Sequence, residues 1–206
     1  MIQITQILDC EKHLEDVQAV IFDLDDTLYG EKSYVRSGYE AVARCFPQIE
    51  NMAEKLWQAF LLRQPAIDMV LAAEGLTDRK AEALETYRYQ IPQIALYPGV
   101  EALLQRLQTE KKLGLITDGR PEGQRAKLQA LGIKQYFDHI IVTDELGGPE
   151  FRKPNEAAFR LMQQKLDVPF AKMVYIGDNT KKDFIAPQAL GMQAIHFQNQ
   201  DGLYVG

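Results

Sequence analysis

The sequence predicts an α/β fold, a parallel sheet whose strands are separated by helices, interrupted once by an insertion that is helical throughout. Three observations carry this. Short apolar runs such as Val17–Phe22 and Leu113–Thr117 recur along the chain, each too short for a buried helix and each ending in polar residues. From Val100 onward these runs alternate with stretches of helical spacing, the pattern of right-handed βαβ units. Between Gly30 and Leu96 the texture changes to Ala, Leu, Glu, Gln and Arg at helical spacing, punctuated by Pro47, Pro65 and Gly75.

Taken in order, Thr5 to Asp16 has helical spacing with Thr5 placed to cap it, which predicts a short leading helix. Val17 to Phe22 reads as a buried strand opening into the loop Asp23-Leu24-Asp25-Asp26-Thr27. The insertion, residues 30–96, reads as roughly four helices and no strand. A helix is expected over Val100–Lys111, a strand at Leu113–Thr117, a helix over Glu122–Leu131 and a strand at His139–Val142. Pro154–Leu166 is helical, Met173–Ile176 a strand, Lys181–Leu190 a helix and Gln193–Phe197 the last strand. The result is a Rossmann-like three-layer core, residues 1–29 and 97–206, carrying the insertion as a second unit.

The 206 residues are 46% apolar and 25% charged, enough for a proper core. A formal net charge of −6 repels nucleic acid and acidic lipid, so neither is an expected partner. The same field repels phosphorylated ligands. An anion site must therefore be built locally, from backbone N–H groups, a lysine or arginine and a metal ion. Two cysteines, Cys10 and Cys45, show neither metal-ligand spacing nor a disulfide framework and fit a reducing cytosol. The N-terminus has no basic segment and is broken by acids, and no apolar run reaches the ~20 residues that span a bilayer. These features predict a cytoplasmic protein. Its oligomeric state is left open, a monomer being compatible.

The groups able to do chemistry follow strands or lie in the loops between units. Asp23 and Asp25 follow the first apolar run, Thr117 and Asp118 end the next, and Lys153 precedes a helix; Asp178 and Asp183 follow the run at Met173. In a parallel sheet these loops converge at the carboxyl ends of the strands. Asp23, Asp25 and Asp178 brought together would repel one another unless a divalent metal neutralised them. Oxygen ligands without His or Cys favour Mg²⁺ over zinc. Thr117, the N–H groups after it at Asp118 and beyond, and Lys153 would cradle a phosphate.

Asp23-Leu24-Asp25-Asp26-Thr27, the strand-ending Thr117, Lys153 in Phe151-Arg152-Lys153-Pro154, and Gly177-Asp178 with Asp183 together resemble the four motifs of the haloacid dehalogenase superfamily, in order and in spacing. The resemblance runs from about Val17 to the end. It implies Asp23 as nucleophile and Asp25 as the acid, then base. It implies Mg²⁺ held by Asp23, the Asp25 carbonyl and Asp178, with Thr117, Asp118 and Lys153 at the phosphoryl group and Asp183 behind them. The insertion would be a cap that closes over the site and selects the substrate.

The implied activity is hydrolysis of a small phosphomonoester, a sugar or polyol phosphate being the expected kind, through an aspartyl-phosphate on Asp23. A phosphomutase would share all four motifs. A 2-haloacid dehalogenase characteristically lacks the second aspartate, which is present here as Asp25. A non-catalytic regulatory protein usually lacks a motif residue, and none is missing. Arg120, Arg36, Tyr34 and Trp57 are further residues that could reach a substrate or simply serve the fold. The two serines, Ser33 and Ser37, lie in no nucleophile motif, which excludes a serine hydrolase.

Overall fold

The computed structural model describes residues 1–203. Contacts divide the chain into two compact units, one made of Met1–Glu31 with the chain from Ala95 onward, the other of Lys32–Ile94.

The first unit is built on six parallel strands: β1 (Ile2–Ile4), β2 (Ala19–Phe22), β3 (Lys112–Thr117), β4 (His139–Val142), β5 (Met173–Gly177) and β6 (Gln193–Phe197). Their order is β1-β6-β5-β2-β3-β4. From β2 the chain moves outward through β3 to β4, then returns to the other side of β2 for β5 and β6. The direction therefore reverses between β2 and β5, and a crevice opens at such a switch point outside the carboxyl ends of the strands. Ala19 pairs with Lys112 on one side and Met173 on the other, so the loop after β2 emerges between those after β3 and β5.

Every residue of β2 is fully buried, as a central strand covered on both faces must be. Ala19 and Ile21 join Phe159, Met162, Leu166, Tyr175 and Phe184 in one core layer. This layer is supplied by helices α7 (Ala157–Leu166) and α8 (Ile185–Ala189). The alternate residues Val20 and Phe22 face the opposite layer, where Phe22 meets Phe137 edge-on at 6.4 Å. Two further helices, α5 (Val100–Leu107) and α6 (Pro121–Ala130), flank β3 in sequence.

Two expectations need correction. The leading segment is not an α-helix capped by Thr5. It is a 3-10 helix over Ile7–His13 with Gln6 at the cap position and no side-chain capping bond. Its buried residues, Ile7 and Cys10, lie three apart, which matches the three-residue turn of that helix rather than a 3.6-residue one. Ahead of it, Ile2–Ile4 forms an unforeseen edge strand paired with β6. The last two helices are also shorter than their sequence pattern, as is α5, which ends at Leu107 rather than Lys111. The Asn155 side chain accepts the Ala157 N–H at 2.9 Å, so α7 starts at Ala157 rather than Pro154. Residues before α8 form turns that bring Asp183 back onto the Asn179 N–H.

The second unit holds four helices, α1 (Glu31–Cys45, its first residue in the other unit), α2 (Met52–Leu61), α3 (Ala66–Ala73) and α4 (Lys80–Arg88). They close around Tyr39, Val42, Phe46, Leu56 and Leu71. Gly38 is required by close approach, because a Cβ there would stand 2.4 Å from the Tyr87 ring. Among the described residues no helix is long and apolar enough to cross a membrane.

Candidate active site

The loops after β2, β3, β4 and β5 bring together nearly all the residues singled out in the sequence. Asp23, Asp25, Asp118, Lys153 and Asp178 line a cavity of about 440 Å³, together with Glu31, Arg152, Asn179 and Lys182. Thr117 and Asp183 are fully buried behind it.

Asp23 leaves β2 still held by the sheet, its N–H donating to the Ile176 carbonyl at 2.8 Å. Lys153 sits over its carboxylate at 2.5 Å, and the same ammonium lies 2.9 Å from Asp183 Oδ1 and donates to the Tyr175 hydroxyl at 2.8 Å. Burial works against the Lys153 charge, but Asp183 and Asp23 outweigh it and hold its pKa well above the ordinary value. Burial pushes the Asp23 carboxyl up to about 7, with Lys153 opposing and Asp183 adding to the rise. Asp178 is driven to about 9 by burial, then by Asp23 and Asp183.

Asp25 sits differently. Its Oδ1 accepts from Lys127 at 2.7 Å and from the Tyr29 hydroxyl, and its Oδ2 from Gln124 at 2.9 Å. Burial alone would raise this carboxyl, yet Lys127, Tyr29 and Gln124 together hold it below its ordinary value. Two residues from Asp23, the carboxylate is thus kept ionised. The turn that separates the two side chains puts Asp26 in the left-handed region at φ 55°. Three bonds secure it there: Asp26 Oδ1 accepts the Glu31 N–H, Oδ2 the Leu203 N–H, and its carbonyl the Asn199 amide.

Thr117 ends β3 with its hydroxyl accepting from the Gln124 amide. The Asp118 carboxylate is fully engaged by the protein: Oδ1 accepts the Lys153 N–H at 3.1 Å and the Thr143 hydroxyl at 3.0 Å, and Oδ2 accepts Lys182 at 2.8 Å. A carboxylate cannot itself attract phosphate, so this position can offer an anion only its backbone N–H. Burial would raise the Asp118 carboxyl, but Lys153 and Lys182 overcome this and hold it low.

Asp23, Asp178 and Asp183 each offer a carboxylate oxygen within 4.8 Å of the others. The approach is allowed by Gly177, where a Cβ would meet Asp183 Oδ2 at 2.6 Å. Asp183 Oδ1 is buried and finds no hydrogen-bond donor at proper angles among the described residues. Clustered carboxyls, two of them with raised pKa, fit a hard divalent cation.

The chain matches the haloacid dehalogenase-like hydrolase family over residues 17–191. It is a member of that family. Its relatives include the glyceraldehyde 3-phosphate phosphatase of Methanocaldococcus jannaschii, 30% identical over 191 residues that span 85% of this chain and 82% of that protein. The protein of the same name from Methanopyrus kandleri is 28% identical, covering 88% of this chain and 84% of its own. Among solved structures, a subfamily IA haloacid dehalogenase-superfamily hydrolase from Geobacter sulfurreducens superposes with a TM-score of 0.71 at 15% identity, covering 90% of this chain and 89% of its own. The hydrolase YfnB of Bacillus subtilis, solved with magnesium, gives a TM-score of 0.65 at 18% identity, with 86% and 85% covered.

Within this hydrolase fold, several site residues went unforeseen in the sequence. Lys127 and Gln124 on α6, with Tyr29, donate to the Asp25 carboxylate. Glu31, Arg152, Asn179 and Lys182 line the cavity beside matched motifs, and adjacency was their only signal. Burial, then Asp25, raises the Glu31 carboxyl to about 8. The other residues weighed lie elsewhere. Arg120 holds the cap position of α6 outside the cavity lining. Arg36 lies over the Trp57 ring at 5.2 Å, and Tyr34 packs edge-on against Tyr87 at 6.1 Å, all within the helical unit.

Proposed function

We propose that this hydrolase removes the phosphoryl group from a small phosphorylated metabolite, a sugar or polyol phosphate, with Mg²⁺ as cofactor and Asp23 as nucleophile. The observation that carries the reading is the pairing of two aspartates in opposite environments two residues apart. Asp23 faces Lys153 and the other acids, whereas Asp25 is held by a separate cation and two neutral donors. Two carboxyls set apart in this way suit two roles in one reaction. Relatives named as phosphatases of a three-carbon sugar phosphate support the substrate class.

Asp23 would attack phosphorus and break the ester bond, while Asp25, ionised in the unliganded site, takes up a proton from solvent as the ester binds and gives it to the leaving oxygen. Water would then attack the phosphorus of the Asp23 acyl phosphate, with Asp25 taking the proton back. Lys153 and the Thr117 hydroxyl would face the phosphoryl oxygens, and the N–H at Asp118 would add a further donor. Asp183 would hold Lys153 in place. Asp23, Asp178 and the Asp25 carbonyl would hold Mg²⁺, which when bound offsets the crowded carboxylates and the negative charge of the phosphoryl group. The helical unit, inserted between Asp25 and Thr117 in sequence, would act as the cap that selects the substrate. Two thiols that form no disulfide favour the cytosol as the setting.

The test is a panel of phosphorylated small sugars, polyols and acids, glyceraldehyde 3-phosphate among them, assayed for phosphate release with Mg²⁺ and with chelator. Release from at least one sugar or polyol phosphate, lost in chelator and in Asp23→Asn, is expected. Undiminished release in chelator would refute the metal-dependent reading.

A further inference from the structure

Helix α6 buries two polar side chains on one face, Gln124 and Lys127, three residues apart and each less than 5% exposed. Burying a lysine is costly unless its charge is returned by a partner. Asp25 returns that charge, its carboxylate lying 2.7 Å from the ammonium. Both oxygens of that carboxylate are occupied, Oδ1 by Lys127 and the Tyr29 hydroxyl and Oδ2 by Gln124. The same Gln124 nitrogen donates to the Thr117 hydroxyl. An amide nitrogen has two hydrogens, and here they are divided between the two residues. With its oxygen accepting from Gln124, the Thr117 hydroxyl has its own hydrogen left to donate.

We propose that Gln124 and Lys127 are positioning residues of phosphoryl transfer: Lys127 fixes the Asp25 carboxylate where it serves the leaving oxygen and then the attacking water, and Gln124 ties that carboxylate to Thr117 and turns the Thr117 hydroxyl into a donor for a phosphoryl oxygen. The inference rests on the reading of Asp25 as acid and base. It adds that α6, which supplies none of the reacting groups, sets the geometry of both half-reactions. In the first, Asp25 takes up a solvent proton as the ester binds, the P–O ester bond breaks as Asp23 bonds to phosphorus, and the departing oxygen takes that proton. In the second, water bonds to phosphorus, the bond to Asp23 breaks, and the water proton returns to Asp25.

The test uses the full chain with Mg²⁺, stopped-flow kinetics and two substrates. 4-Nitrophenyl phosphate has a leaving group that needs no proton, whereas an alkyl phosphate such as glycerol 3-phosphate needs one. Lys127→Met should slow the alkyl phosphate by about 100-fold, the size of a general acid–base contribution. On the nitrophenyl ester it should give a burst of nitrophenolate approaching one per enzyme, followed by slow turnover, because only the second half-reaction then waits for a base. Lys127→Arg should restore most of the rate. Gln124→Leu should raise KM for both substrates, through loss of the Thr117 donor. A fall of equal size on both substrates without a burst, or wild-type kinetics in Lys127→Met, would overturn the proposal. Should Lys127→Met fail to fold, an unchanged KM in Gln124→Leu overturns it instead. Asp25→Asn run alongside separates the two readings. Wild-type turnover in that variant removes the acid–base assignment and the inference with it. A slow Asp25→Asn beside an unimpaired Lys127→Met removes the inference alone.

Discussion

The crowded carboxyls give a prediction whose sign can be worked out in advance. Burial, then Asp23 and Asp183, raise Asp178 from 3.8 to about 9, and burial raises Asp23 to about 7. Without a cation the folded chain therefore keeps protons that the unfolded chain has released. Stability is complete below the unfolded pKa of about 4 and declines as pH rises through the folded values, up to about 9. Asp25 and Asp118 have lowered values and act in the opposite sense, but only in the acid range below about 4. One such retained proton costs about 1.4 kcal/mol per pH unit. Discounting for the solvent that reaches the partly open Asp178, the loss from about pH 5 to about pH 8 is on the order of 2–3 kcal/mol. That corresponds to roughly 5–10 °C of melting temperature for a chain of this size.

Mg²⁺ would take the place of those protons, so its stabilising effect should grow with pH. Thermal melting in chelator and in millimolar Mg²⁺ across this range is the assay. The chelator curve should fall with rising pH and the Mg²⁺ curve should stay flatter. Asp178→Asn sharpens the test, because it removes the carboxyl with the highest pKa together with a proposed metal ligand. In chelator at about pH 8 the variant should melt above wild type, and Mg²⁺ should add little to it. Glu31 contributes in the same direction but is present in both proteins. A Mg²⁺ gain equal at low and high pH, or an Asp178→Asn protein that melts below wild type in chelator at high pH, would refute the reasoning.

Three other outcomes are expected. Asp23→Asn should abolish phosphate release while leaving far-UV circular dichroism unchanged, since Lys153 keeps Asp183 as a partner; wild-type turnover would contradict the nucleophile assignment. Lys153→Met should destabilise the protein by about 3–5 kcal/mol, the cost of stranding buried charge, as well as abolish turnover; an unchanged denaturant midpoint would show that the Asp23 and Asp183 charges do not depend on it. Beryllium fluoride should inhibit only with Mg²⁺ and should lose its effect in Asp23→Asn; equal inhibition of that variant would favour direct attack by water.

Much of this was legible in the sequence, for identifiable reasons. Strands β2 to β6 are apolar runs bounded by polar loops, and buried parallel strands leave that trace. The groups proposed to react stand just after strand ends, where a parallel sheet collects them. By contrast, β1 is three residues long, and its pairing with β6 depends on a chain end almost two hundred residues away. Lys127 and Gln124 lie in Gly123-Gln124-Arg125-Ala126-Lys127, which reads as a solvated helix face. Only the tertiary fold turns two of its polar residues inward, toward a carboxylate about a hundred positions earlier. Their spacing of three gave the one available hint, and that spacing is common on exposed helices.

The charge of the cavity bears on the order in which ligands enter. Five carboxyl groups line it, those of Asp23, Asp25, Glu31, Asp118 and Asp178, against three cations, Arg152, Lys153 and Lys182. None of the cations is idle: Arg152 is bound to Asp144 at 2.7 Å, Lys182 to Asp118 at 2.8 Å, and Lys153 to Asp23 and Asp183. In a chain of net charge −6, a dianionic phosphate ester entering this lining alone would meet an excess of negative charge with no uncommitted counter-charge. Protonation of Asp178 and Glu31 offsets part of that excess in the metal-free protein, but those protons are lost as pH rises past about 8–9. A divalent cation on Asp23 and Asp178 removes the same excess and persists at high pH. Metal and phosphate ester should therefore bind with strong mutual dependence, each raising the affinity of the other by the same factor, and that dependence should steepen with pH.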